Sequence, residues 1–406
     1  MNRTPLSERL QIVLLGVRNA GKSSLMNNLF KKEVCIVSEA PGTTTDPVTK
    51  AMELLPIGPV AITDTAGLDD EGSLGELRIK KTEEKVNNSD LIIFVTPTHL
   101  PPTEKERVWL DKVLKLSVPF VFALTFSEKL EDSEKIKWIK PYQHVKINNL
   151  TGKGIEELKT LLIERSRKIN KEKTPLEGLV SKGELVLLVV PIDLAAPKGR
   201  LILPQVETIR DLLDKDCGAL IVKENELKNF YWKLNEPPKL VITDSQAFHK
   251  VAADLPKFQK LTSFSILFAR KKGDLKKFLE GILAINNMPS NSKVIVIEAC
   301  SHHTQPEDIG TVKIPRLFKQ LVKADAQFKF YKSLPSEEEL KGVFLAIMCG
   351  SCMTTRQETL NRINFLEKNG VKVTNYGIFL AWANGLLPRV LEPFTDEYNF
   401  YRNKIV

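Results

Sequence analysis

The sequence predicts an α/β protein of three domains: a phosphate-binding P-loop domain, a small α/β domain, and a parallel-sheet α/β domain. Three observations predict it. A glycine-rich loop stands between an apolar run and a helical pattern near the N-terminus. β-rich runs alternate with helical patterns along most of the chain, as in doubly wound α/β folds. Two strongly apolar strand-like runs towards the C-terminus each end in cysteine.

Length supports the division, since 406 residues exceed what one ordinary core organises. With 42% hydrophobic and 27% charged residues the composition is that of a globular protein. The net charge of +9 is spread, with Lys and Arg interleaved among Asp and Glu. No basic arm stands out, so nucleic acid is not the expected partner; nucleotide phosphates or an acidic surface suit the balance better. No stretch approaches the roughly 18 apolar residues of a membrane span. The apolar run near the N-terminus is shorter than a signal core, so a cytoplasmic location is expected. Five cysteines, an odd number in a long chain, argue against a disulfide framework.

In the first domain, expected over 1–170, residues 10–15 read as a strand, followed by strands at 60–64, 91–96 and 119–125. Helical patterns over 76–87 and 104–116 fall between them, and one over 154–169 closes the domain. The second domain, expected over 176–261, has β-rich runs on both sides of the loop Leu194–Arg200, then a helix, another run, and a strand at 240–245. Self-association is its expected work. In the third, over 262–406, strands are expected at 263–269, 293–300, 326–331, 342–348 and 371–376, with helices at 274–285 and 356–368.

The loop Gly16-Val17-Arg18-Asn19-Ala20-Gly21-Lys22-Ser23 matches G-x-x-x-x-G-K-[ST] in full, after a strand and at the start of a helix. Its glycines let backbone N–H groups approach phosphates, and the helix N-terminus adds a positive dipole end. Gly16, Asn19, Ala20, Gly21, Lys22, Ser23 and Ser24 are the expected nucleotide contacts, with Thr125 and Glu128 at the base-reading end. Lys22 should reach the β- and γ-phosphates, and the Ser23 hydroxyl should ligate Mg²⁺. Asp64-Thr65-Ala66-Gly67 ends the next strong strand, so Asp64 is expected at or behind the magnesium and the Gly67 N–H at the γ-phosphate. Between them Pro41-Gly42-Thr43-Thr44-Thr45-Asp46 supplies a threonine that can close onto the metal.

Order and spacing resemble the translation-factor class of GTPases, and most closely its tRNA-modification and ribosome-assembly members. The resemblance makes Thr44 the metal-binding switch threonine. It matches Asn19 to the residue that holds a K⁺ beside the phosphates, where a cation offsets charge developing in the transition state. Residue 68 is Leu where Ras-like enzymes have a water-orienting glutamine, so intrinsic hydrolysis should be slow. Asp69, Asp70 and Glu71 are candidates for orienting the water. The base-reading end departs from the class pattern Asn-Lys-x-Asp: the chain has Thr125-Phe126-Ser127-Glu128. Glu128 can accept from a guanine edge and Phe126 can cover a base face. Asn149 stands where the class has alanine. Weaker discrimination of GTP from ATP is expected.

Cys300, with Glu298, His302 and His303 around it, ends one apolar strand, and Cys349 and Cys352 end another. Ligands collect beyond the carboxyl ends of parallel strands, so the two groups can converge. Three thiolates on two loops suit a [4Fe–4S] cluster with one iron held otherwise. A zinc site, a dithiol pair and unrelated buried cysteines use the same residues. Cys35 and Cys217 read as core residues.

The GTPase motifs, the middle segment "PIDLAAPKGRLILPQVETIRDLLD" and Cys-x-His followed by Cys-x-x-Cys together resemble the HydF family over essentially the whole chain. That family comprises maturation GTPases and scaffolds of [FeFe]-hydrogenase. The resemblance implies a P-loop GTPase domain, a dimerisation domain and a [4Fe–4S] cluster-binding domain, in a homodimer or higher oligomer. It implies receipt of a diiron precursor from radical-SAM maturation enzymes and delivery to apo-[FeFe]-hydrogenase. Cys300, Cys349 and Cys352 match the thiolate ligands, and His302 the histidine of Cys-x-His. The histidine usual before Cys-x-x-Cys is Met348 here, a thioether better suited to core packing. Glu298 alternates to the face of Cys300 and ranks with His302 as fourth ligand. The rival reading is a potassium-activated GTPase of tRNA modification or ribosome assembly. An iron–sulfur redox enzyme lacks a motif for a second donor.

Overall fold

The computed structural model describes residues 4–30, 47–68, 72–116, 118–167, 169, 173–191, 201–298, 308–322 and 325–405. It divides into two compact units, residues 1–171 and 172–406. Among the described residues no helix is long and apolar enough to cross a membrane.

The first unit is a six-stranded sheet of β1 (Leu10–Leu15), β2 (Val48–Leu54), β3 (Gly58–Asp64), β4 (Leu91–Pro97), β5 (Phe120–Thr125) and β6 (His144–Lys146). Its order is β2-β3-β1-β4-β5-β6, with β2 antiparallel to β3 and the remaining pairs parallel. Helices α1 (Lys22–Phe30), α2 (Gly72–Asn87), α3 (Glu104–Leu116), α4 (Ser133–Ile139) and α5 (Ile155–Ser166) make the crossovers. Parallel strands covered on both faces must be apolar throughout, and β4 is buried along its whole length. That is why these strands were readable as apolar runs. Strand β2 was not expected: it is an edge hairpin arm whose sequence VTKAMEL is only half buried. All parallel strands end on one side of the sheet, which brings Gly16, Asp64 and Thr125 to a common edge.

The second unit holds two four-stranded, all-parallel sheets. The first contains β7 (Leu185–Val189), β8 (Gly218–Val222), β9 (Leu240–Thr243) and β10 (Leu261–Ser263), in the order β10-β9-β7-β8. The second contains β11 (Ser292–Ile297), β12 (Ala326–Tyr331), β13 (Val343–Met348) and β14 (Lys372–Asn375), in the order β12-β11-β13-β14. The helices are α6 (Leu203–Asp214), α7 (Leu227–Tyr231), α8 (Phe248–Asp254), α9 (Phe264–Lys272), α10 (Leu275–Ala284), α11 (Ile314–Leu321), α12 (Arg356–Lys368), α13 (Tyr376–Ala383), α14 (Leu387–Leu391) and α15 (Thr395–Ile405). Both sheets contribute to one continuous core, from Leu187 and Ile242 to Val296 and Ile347.

Two expectations are corrected here. The run 263–269 is helix α9, not a strand; the Ser263 hydroxyl caps it by accepting from the Ile266 N–H. Short buried apolar runs carry no periodicity that separates the two states. The β-rich run expected after the loop leads straight into α6, whose Pro204 suits the first turn of a helix. Strand β10 pairs with β9 through Thr262 and Ile242.

Candidate functional site

Register assembles the phosphate end. Leu14 pairs with Asp64, Leu15 with Phe94, and Pro97 with Thr125, so each strand hands its last residue to the same edge. The loop after β1 turns through left-handed residues, Asn19 at φ 59° and Gly21 at φ 90°. Gly16 is required by close approach, since a Cβ there would lie 2.2 Å from the carbonyl oxygen of Val95. Lys22 is buried and its Nζ donates to the carbonyls of Gly16 (2.8 Å) and Val17 (2.9 Å). These bonds hold the ammonium against the loop. The Leu68 N–H also donates to Gly16, at 3.3 Å, which ties the end of the Asp64 motif to the loop.

Ser23 Oγ donates to Asp64 Oδ2 at 2.6 Å, so the two expected magnesium residues meet. Asp64 Oδ1 is buried without a hydrogen-bond partner among the described residues. Burial pushes the Asp64 carboxyl above its ordinary 3.8, against the Ser23 bond and the Lys22 and Lys50 ammoniums. A buried carboxylate with one oxygen unsatisfied fits a cation and its water shell. Gly67 is buried. Thr44 and Asp69 to Glu71 lie outside the described residues.

At the base end Thr125 is tied to the phosphate loop. Its side chain is fully buried and its hydroxyl donates to the Ala20 carbonyl at 2.6 Å, pinning the loop from below. Asn149 does the same from the other side, donating to the Gly21 carbonyl at 3.2 Å and accepting from Asn28 at 3.2 Å. Phe126 is left-handed at φ 58° and Glu128 is exposed. The Phe126 ring meets the edge of His99, centroids 5.2 Å apart, and Lys129 Nζ lies 4.9 Å from its centroid. Sequence reasoning missed His99. Burial and Lys129 push its imidazole below the ordinary 6.5.

In the second unit Ile297 pairs with Met348 and Met348 with Asn375. The residues that leave the sheet next are Glu298, Cys349 and Tyr376. Met348 is 2% exposed in the core, in keeping with a packing role. Cys349 and Cys352 are half-buried, on a turn whose Ser351 is left-handed at φ 54°. Tyr376 Oη donates to Glu298 Oε1 at 3.0 Å. Cys300, His302 and His303 lie outside the described residues, and among those described no three His, Cys, Asp or Glu make a metal site. Two thiols and a carboxylate at the carboxyl ends of adjacent parallel strands are a donor set of the right kind for an iron–sulfur cluster. Cys217 is buried, its thiol donating to the Ser181 carbonyl.

Comparison with known proteins divides the chain in three. Residues 11–125 match the family described as 50S ribosome-binding GTPase. Residues 176–273 match the hydrogen maturase F dimerization domain, and 276–393 the hydrogen maturase F tetramerization domain. The tRNA modification GTPase MnmE of Clostridioides difficile is 31% identical over 155 residues, 38% of this chain and 34% of that one. MnmE of Thermotoga maritima is 29% identical over 168 residues, 40% and 37% respectively. The chain thus spans about a third of the length of these curated relatives, within its GTPase domain. Among solved structures, the G domain of the T. maritima FeoB iron transporter is 24% identical, covering 39% of this chain and 99% of that one, with a TM-score of 0.31. Aquifex aeolicus Era is 16% identical, covering 52% and 92%, with a TM-score of 0.32.

Proposed function

The chain belongs to the HydF family, and from that premise we propose that it is a GTP-hydrolysing scaffold of [FeFe]-hydrogenase maturation. It carries a [4Fe–4S] cluster, accepts a diiron precursor from radical-SAM enzymes and passes it to apo-hydrogenase. The observation that supports this most is the succession, in one chain, of a phosphate loop joined to Asp64 through Ser23 and a thiol pair at the end of β13. Family domains of dimerization and tetramerization support a homodimer or higher oligomer. The edge strand β8 and helix α6 expose Ile221, Leu213 and Val206, apolar surface of the sort a subunit interface covers.

In the GTPase domain the backbone of residues 16–21 and Lys22 hold the phosphates, while Ser23 and Thr44 ligate Mg²⁺ with Asp64 behind. Asn19 would hold K⁺, which would supply charge against that building on the phosphates. Cys300, Cys349 and Cys352 hold the cluster, with Glu298 or His302 at the fourth iron. An exchangeable fourth ligand suits a protein that must bind a precursor and release it.

Anaerobic reconstitution with iron and sulfide, read by electron paramagnetic resonance, tests the cluster. A [4Fe–4S] signal is expected in the wild-type protein and is lost or strongly reduced in Cys349→Ala. A signal indifferent to that substitution, or none, would support the rival reading of a GTPase acting on tRNA or ribosomes. Base recognition gives a second expectation. Competition titration should find GTP preferred over ATP by less than a factor of about 100, since Glu128 is an exposed acceptor on a loop without the usual Asn-Lys. Glu128→Ala should bring the two affinities together, and an unchanged ratio would remove Glu128 from base reading.

A further inference from the structure

We propose that Tyr376 is the positioning residue for Glu298, holding its carboxylate as the exchangeable ligand of the fourth iron. The inference rests on the cluster reading above and adds a residue and a regulating bond to it. It begins in the register of the second sheet. Ile297, Met348 and Asn375 form one row across three adjacent parallel strands. Glu298, Cys349 and Tyr376 are the next row, one residue beyond the sheet. The ladder continues into that row, for the Cys349 N–H donates to Ile297 O at 2.9 Å and the Glu298 N–H to Tyr331 O at 2.8 Å. The backbone under Glu298 and Cys349 is therefore as fixed as the sheet itself.

The side chains are fixed by packing. Tyr376 is 9% exposed at the start of α13, which Asn375 caps by accepting from the Ile378 N–H. Its hydroxyl donates to Glu298 Oε1 at 3.0 Å. Gly310 lies over this bond: a Cβ there would come within 2.2 Å of the phenol oxygen and 2.5 Å of Glu298 Oε1. Gly310 belongs to an i→i+5 turn, Ile309–Lys313, held at its start by Asp308, which accepts from the Thr311 N–H at 2.8 Å. Such turns are rare and recur at functional sites. Only glycine leaves room here for the phenol and carboxylate to meet.

A phenol on one oxygen leaves the other, Oε2, as the ligand atom and limits the rotamers the carboxylate visits. Outer partners of this kind orient a ligand, and their loss typically changes metal affinity 10- to 100-fold. Glu298 is thus pre-placed for iron, and the bond sets how well it competes with an incoming donor.

The test uses full-length protein, reconstituted anaerobically, reduced, and titrated with imidazole while the paramagnetic resonance spectrum is recorded. Tyr376→Phe is expected to keep its cluster and to bind imidazole about tenfold more tightly, because the loosened carboxylate competes less well. Glu298→Ala is expected to do the same, and the double variant to add nothing to it. Gly310→Ala pushes phenol and carboxylate apart without removing either and should tighten imidazole binding as well; it decides the matter if Tyr376→Phe takes up no iron. Imidazole affinity within twofold of wild type in both variants, or additive effects in the double variant, overturns the proposal while the cluster reading stands. A wild-type protein that yields no cluster signal overturns both.

Discussion

Lys135→Met is expected to lower the stability of the GTPase domain by about 3–5 kcal/mol, read by urea unfolding of the full chain. Lys135 and Glu106 are 0% and 1% exposed, and their charges meet at 3.0 Å. Lys135 Nζ also donates to Thr96 Oγ1 at 2.6 Å and lies 5.2 Å from the Trp138 ring. Glu106 further accepts from the Thr103 N–H at 2.8 Å and from the Thr96 hydroxyl. Removing the lysine leaves a buried carboxylate without its cation, the costly case for a buried pair. Lys135→Met with Glu106→Gln should recover most of the loss, since it removes both charges and keeps an acceptor for Thr103. A single-variant loss below about 1 kcal/mol would show the pair to be incidental. Burial lowers the Lys135 pKa from its ordinary 10.5, with Glu106 pulling the other way. Between the lowered value and 10.5 the native state holds fewer protons than the unfolded chain, so this group's contribution to stability rises with pH across that window. The network also reaches the loop after β5. Thr96 O accepts from Thr125 at 3.3 Å, and Thr98 donates to the carbonyls of Thr125 and Phe126.

Lys22→Ala is expected to lower the rate of GTP hydrolysis by about 10²–10³-fold, the loss typical when one preorganised donor is taken from developing charge. Initial-rate assays with Mg²⁺ and K⁺ present check it. The bonds to Gly16 and Val17 hold the ammonium before any phosphate arrives, so little reorganisation is needed at reaction. Their loss should also weaken nucleotide binding through the loosened loop. Lys22→Arg should not rescue the rate, because the larger guanidinium does not fit a side chain 7% exposed beneath its loop. Hydrolysis within threefold of wild type would remove Lys22 from the chemistry.

What was legible lies close together in the chain. The phosphate loop is eight consecutive residues between a strand and a helix, and its geometry is local enough to be written in glycines. Strands β1, β3, β4 and β5 were legible because both faces of a parallel sheet are covered. Strand β2 was not, being an edge that can afford Lys50 and Glu53. Helix α9 reads as a strand in sequence because the apolar run 264–269 is too short to show a helical period. Only the fold shows that the Thr125 hydroxyl meets the Ala20 carbonyl, 105 residues away.

The sequence by itself determined a phosphate-binding domain, an α/β class throughout, and the thiol pair Cys349 and Cys352. It did so because backbone conformation and residue chemistry in those motifs depend on neighbours a few positions apart. Tertiary structure alone decided which residues surround them. Tyr376 meets Glu298 across 78 residues, and Gly310 closes over the bond, because three parallel strands share a register. No local pattern encodes that register; it is set by packing the apolar faces of the whole sheet.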